Sequence, residues 1–292
     1  MKNKLIVYII FGIGLLIGES DSYKILDYQY KVKKYDALRV YFDCSIGNLT
    51  MRPSNNRYII TGKIEFNSIF SKPIVELSDK NNISRLDLKI KPDKNISNDN
   101  SKSLINSLIK DGNDNYKINF QMPTKIGTDM NLNFGLGKVD LDFTGLRISQ
   151  LVMDCGLSDV SLINTKSNIV DCETIHIATG VADFNSLGLG NFNASSYIFD
   201  VGMGSAEIDM SGSANRNSSL TINVTVGSLE LILPTNTNIE LIINNNMLSS
   251  VNVKGLVSSG DGKYTSRNNQ KRWSTLKAEV SVGLGSVDIS VD

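Results

Sequence analysis

The sequence is poor in the residues that most often carry chemistry. Among 292 residues there is one histidine, His176, one tryptophan, Trp273, and three cysteines. With no second histidine, the common zinc sites and His-based triads fail. Cys44, Cys155 and Cys172 have no C-x-x-C spacing and are too few for a disulfide framework. Their odd number leaves at least one thiol unpaired or bonded to another chain. Net charge is also missing, since 30 basic residues balance 30 acidic ones. A general nucleic-acid binder would need a basic face, so no nucleic-acid partner is expected. Gly135-Leu136-Gly137 and Gly188-Leu189-Gly190 lack the third glycine and following helix of a phosphate loop. No cofactor is expected.

What is present points to strands. The chain is 41% hydrophobic with 23 glycines, enough for a large core and many tight corners. Lys2 and Lys4 precede an apolar run from Leu5 to Gly18, followed by Glu19 and Ser20. That run is shorter than the roughly 20 residues needed to span a bilayer, and it reads as a signal peptide over residues 1–20. No later run is long enough to cross, so no span is expected after cleavage. Residues 21–115 read as an N-terminal β module that starts with a polar, aromatic lead-in. Strand patterns follow at 38–51, 58–66, 73–77 and 85–90. A polar insertion occupies 92–115, with one short apolar patch at helical spacing.

Residues 116–292 repeat a phrase best seen in Phe134–Phe143, FGLGKVDLDF. Aligned on their first glycine, the copies anchor at Gly135, Gly156, Gly180, Gly202, Thr225 and Gly283, with Ser45 in an N-terminal copy. A degenerate copy lies at 239–253, with Asn246 near its anchor. One before the anchor stand Cys44, Phe134, Cys155, Thr179, Val201, Val224 and Val282. Three before stand Phe42, Leu132, Met153, Ile177, Phe199, Ile222 and Val280. Four after stand Leu49, Val139, Val160, Phe184, Ala206, Leu229 and Val287. One after stand Ile46, Leu136, Leu157, Val181, Met203, Val226 and Leu284, and this column too is expected in the core. Period-two alternation buries one face and wets the other. No copy can bury its stripe alone, so the copies must stack. The expectation is an all-β fold, a parallel single-stranded β-solenoid (β-helix) with rungs of roughly 22 residues. Position two after the anchor is Gly47, Gly137, Ser158, Ala182, Gly204, Gly227 and Gly285, so a corner there must stay small.

Cys44-Ser45-Ile46-Gly47-Asn48-Leu49, Gly227–Pro234 (GSLELILP), Gly260-Asp261-Gly262-Lys263-Tyr264 and Val282–Ile289 (VGLGSVDI) carry a resemblance. Through them the chain resembles bacterial toast-rack proteins, which include adhesin-like domains and the C-terminal domains of envelope-stress membrane proteins. The likeness takes in Ala37–Lys91 and Met130–Met210 as well. It implies an exported β-solenoid with no known enzymatic site. This chain lacks the membrane helices of the envelope-stress members.

Candidate sites are few. His176 lies between Ile175 and Ile177 and should point outward. Cys44 and Cys155 fall in an inward column and read as small core residues, while Cys172 is undecided. Five after the anchor stand Thr50, Asp140, Ser161, Asn185, Glu207, Glu230 and Asp288. Glu207 and Glu230 lie one rung apart and form a weak candidate metal pair, for calcium. Otherwise the column is a solvated acidic stripe. No catalytic residue is assigned. Trp273, in the segment inserted at 254–276, should plug a flank or end of the stack. The expectation is an exported, non-enzymatic cell-envelope protein, adhesin-like or a scaffold, in the periplasm or at the cell surface. Its partners would be a cell-envelope protein or a glycan. The alternatives are a carbohydrate-active β-helix enzyme and an envelope-stress sensing partner.

Overall fold

A computed structural model describes residues 23–34, 37–67, 70–91, 116–213, 215–245, 249–267 and 269–291. The signal peptide, the insertion at 92–115 and the Asn246 anchor lie outside the described residues. The fold is all-β, with one 3-10 turn at Leu189–Phe192 and no α-helix among the described residues. Among the described residues, sixteen strands form a single sheet.

Six long strands build its centre: β2 (Ala37–Pro53), β7 (Gly127–Asp142), β8 (Arg147–Ile163), β9 (Cys172–Leu187), β10 (Ala194–Asp209) and β11 (Ser218–Leu233). They lie parallel, each against the next. The repeat columns become hydrogen-bonded neighbours, so that Val201 faces Val224 and Phe199 faces Ile222. The columns three before, one before and four after the anchor are all buried. Phe184 and Phe199 sit 5.8 Å apart between their ring centres inside the stack. Each such side chain contributes about 1.5–3 kcal/mol by leaving water. From β7 to β11 the connections are short, yet they carry polar backbone past the core. Asparagines satisfy it. The Asn168 amide donates to the carbonyls of Ile148 (2.7 Å), Val170 (3.1 Å) and Phe192 (3.1 Å), and its oxygen accepts from the Ile148 N–H. Asn191 repeats the device, donating to the Asn164 carbonyl at 2.9 Å and accepting from the Ser213 N–H.

Chain order and space part company near the end. β16 (Thr275–Val291) lies between β11 and β12 (Asn238–Asn245), with Gly227 opposite Gly285. The degenerate copy is therefore the outer one. It is also broken in two: β12 pairs the first half of β16, and β13 (Ser249–Val253) pairs the second half. The other end is built alike. β5 (Ile83–Ile90) and β6 (Tyr116–Met122) pair the first and second halves of β2. The boundary expected at 115/116 thus falls between two half-strands that share one neighbour.

The sheet is mostly but not wholly parallel. β1 (Tyr23–Lys31), β3 (Ile59–Asn67) and β4 (Ile74–Lys80) add antiparallel partners at the N-terminal end. At the far end β15 (Lys263–Ser266) pairs β12 antiparallel, and β14 (Leu256–Gly260) pairs β15. These short strands cover edges that a bare parallel stack would leave for other chains. Two expectations change here. The lead-in contains a real strand, β1, of which only Leu26 is buried. The segment inserted after 254 does cover an end of the stack, as a hairpin on the end strand, but Trp273 does not plug it: it stands half-buried beside the hairpin with its carbonyl 3.3 Å from the Asn238 amide.

Candidate functional site

The surface of interest follows from the corner in each long strand. At Gly204 φ is +135°, a region that side-chain-bearing residues rarely adopt. A Cβ there would stand 1.9 Å from the Ala182 carbonyl oxygen of the neighbouring strand. Gly137, Gly227 and Gly285 share this geometry. The alternation of the strand resets at this position, in β8 and β9 as well, where Ser158 and Ala182 hold it without a positive φ. The core position after the corner becomes four past the anchor instead of three, and the residue one past the anchor is left outside. The expectation that this column joins the core is therefore overturned. Leu157, Val181, Met203 and Leu284 are 57%, 48%, 52% and 47% exposed, Leu136 and Val226 are half-buried, and only Ile46 is buried. The six form a continuous aliphatic ridge, each beside the next across paired strands.

Beside the ridge runs an open groove of about 540 Å³. Its floor is Gly135, Gly156, Gly180 and Gly202, and its polar wall is Asn133, Asp154, Asp200 and Asn223. A Cβ at Gly202 would meet the Gly180 carbonyl oxygen at 2.4 Å, so close strand approach keeps this floor bare. Asp200 is held from both sides: His176 Nε2 lies 3.1 Å from Oδ2, and the Asn223 amide donates to Oδ1 at 2.8 Å. His176 does face outward, and its carboxylate partner comes from the adjacent strand. The same-column relation of Asp200 and Asn223 was readable from the repeat; the histidine bond was not. A second polar hollow of about 550 Å³ lies at the N-terminal end among Asp27, Tyr28, Arg52, Lys63 and Gln121. Arg52 is tied there to Asp140 by an ion pair and by a 2.9 Å bond to its carbonyl.

Glu207 stands opposite Glu230, and Glu230 opposite Asp288. Among the described residues, no three His, Cys, Asp or Glu side chains gather as metal ligands. The three cysteines are free and buried. Burial pushes the thiols of Cys155 and Cys172 up to about 12, and that of Cys44 further still. They are core residues with little thiolate character.

Residues 18–185 match the family described as the N-terminal domain of toast_rack, DUF2154. The chain belongs to the toast-rack family. The match runs from β1 through most of β9, which includes the first corners of the ridge. No curated protein matches this toast-rack chain. Among solved structures it is similar to a candidate cell adhesion protein from Clostridium sporogenes, at 14% identity and a TM-score of 0.47, covering 92% of this chain and 100% of that one. A candidate adhesin from Bacteroides fragilis gives 16% identity and a TM-score of 0.31 over 93% of this chain and all of that one. A candidate adhesin from Parabacteroides merdae gives 11% and 0.26, over 91% and 96% of the two chains. No helix among the described residues of the toast-rack chain is long and apolar enough to cross a membrane.

Proposed function

We propose that this toast-rack protein is an exported, non-enzymatic component of the cell envelope, adhesin-like or a scaffold. Its strands wind as a β-solenoid with turns of roughly 22 residues. The observation that carries the reading is the register. Gly204 faces Gly227, which faces Gly285, so identical surface positions recur at fixed spacing along a stiff body. Such a body suits display of a long surface and the bearing of load. The apolar run at Leu5–Gly18, preceded by Lys2 and Lys4, supports export.

Cell fractionation tests the location. Expression in the native host should yield the protein outside the cytoplasm with residues 1–20 removed. Deletion of 1–20 should leave it inside. Binding of the purified protein to cell-surface extracts tests the adhesive role, and a gene deletion that leaves adhesion and envelope integrity unchanged would refute it. Release of reducing ends from polysaccharides would replace this reading with the enzymatic one.

A further inference from the structure

Apart from Leu136, which packs against the core, the aliphatic ridge takes no part in it. Leu157, Val181, Met203 and Leu284 hold four of the large apolar side chains that are about half exposed, and they share one column. We propose that the ridge docks a basic amphipathic helix of a partner polypeptide. This concerns the surface alone and stands apart from the question of export.

Three observations select that occupant. The first is shape. Six strands about 4.8 Å apart make a ridge about 24 Å long and one side chain wide. An α-helix advances 5.4 Å per turn, so about 16 residues lying along the ridge would meet roughly one ridge side chain per turn. Its apolar stripe is narrow in the same way. Longer side chains at the edge of that stripe can settle over the glycine floor of the groove, where nothing projects from Gly135, Gly156, Gly180 or Gly202.

The second is charge. On one side of the ridge lie Asp154 and Asp200; on the other lie Asp159 and Asp183, with Glu207, Glu230 and Asp288 two positions further on. Lys138 and His176 are the basic groups beside the middle strands. Lysines and arginines flanking the apolar stripe of a helix would reach both acidic margins. An anionic membrane surface would be repelled by them.

The third is area. A single file of six half-exposed aliphatic residues falls well short of the roughly 800 Å² per partner of a standard interface. Two copies meeting ridge to ridge would also oppose their acidic margins. A lone helix asks for less surface and answers the charge.

The test uses the mature chain, residues 21–292, with a fluorescent Leu/Lys amphipathic peptide of about 18 residues, long enough to span the ridge. Anisotropy should show saturable binding. Affinity should fall about tenfold in the L157S/M203S double variant, as expected for removing two apolar contacts. It should fall severalfold in D154N/D183N and on raising salt. Both variants alter exposed side chains, and unchanged melting curves would show that they fold. A Leu/Glu peptide of the same pattern should not bind. Equal binding of the Leu/Glu or a scrambled peptide, or binding unaffected by L157S/M203S, overturns the proposal. So does self-association, or retention on a glycan array, that L157S/M203S abolishes, because either assigns the ridge to another occupant.

Discussion

Gly204→Val puts the corner geometry at risk in a single step. The glycine has φ +135°, and the new Cβ would stand 1.9 Å from the Ala182 oxygen, 2.9 Å from its carbonyl carbon and 3.3 Å from its nitrogen. Those are backbone atoms of a hydrogen-bonded strand, so no side chain can swing aside. Holding a β-branched residue at this φ costs about 1–3 kcal/mol in backbone strain. Forcing its atoms against the neighbouring strand costs about 1–3 kcal/mol more. The expected loss is about 4 kcal/mol, or roughly 10 °C in melting temperature for a chain of this size. Urea titration and thermal melts followed by circular dichroism would measure it. Gly127→Ala is the control, because a Cβ there meets only the Ser149 hydroxyl oxygen at 3.5 Å, an ordinary contact. Nature has placed Ser158 and Ala182 in the same column, and between their strands the pairing breaks off after Leu157–Val181 and resumes at Val160–Phe184. Where two Cβ-bearing residues meet in this column the pairing lets go locally, whereas Ser158 opposite Gly137 keeps its pairing. A melting temperature for Gly204→Val within about 2 °C of the parent, under 1 kcal/mol for this size, would refute the steric reasoning.

Asn168→Ala should cost about 2–4 kcal/mol by urea titration, since it strips partners from the Ile148 N–H and from three carbonyls around the connections. The cysteines should not react with a thiol reagent at pH 8 in the native protein and should all react in denaturant. Their raised pKa values also set a direction with pH. From pH 9.0, their ordinary value, an unfolded thiol gives up its proton while the folded one keeps it. Their contribution to stability is therefore complete below pH 9 and is lost as pH climbs toward 12, which denaturant titrations across that range would detect. Glu207→Gln should raise stability by a few tenths of a kcal/mol at low salt, because it removes a like charge opposite Glu230, and the gain should shrink as salt is added. A larger gain from millimolar calcium in the parent, absent in the variant, would instead favour the metal pair.

Much of the fold could be read because stacked strands repeat their requirements. Phe199, Val201 and Ala206 occupy columns that are apolar in almost every copy, and all three are buried. Met203 misled for a physical reason. It is as apolar as its column neighbours, but its face is set by a break in the alternation just after it, which occurs with Gly204, Ser158 or Ala182 alike, and none of those letters states a backbone geometry. The position of β16 was hidden by the repeat itself, since any strand with this pattern fits beside β11. β1 was missed because one inward residue, Leu26, gives no period to count. At the surface, Glu207 and Glu230 were placed side by side correctly by counting residues, while the His176–Asp200 bond depends on side-chain reach between different columns.

The place of β16 bears on how such a molecule comes into being. Synthesis runs from the amino end, yet this late strand must enter the middle of the sheet, with β11 on one side and β12 on the other. Until it emerges, both neighbours show raw edges and the array cannot close. Completion of the array therefore waits on residues 275–291, which follow in the chain every strand they join.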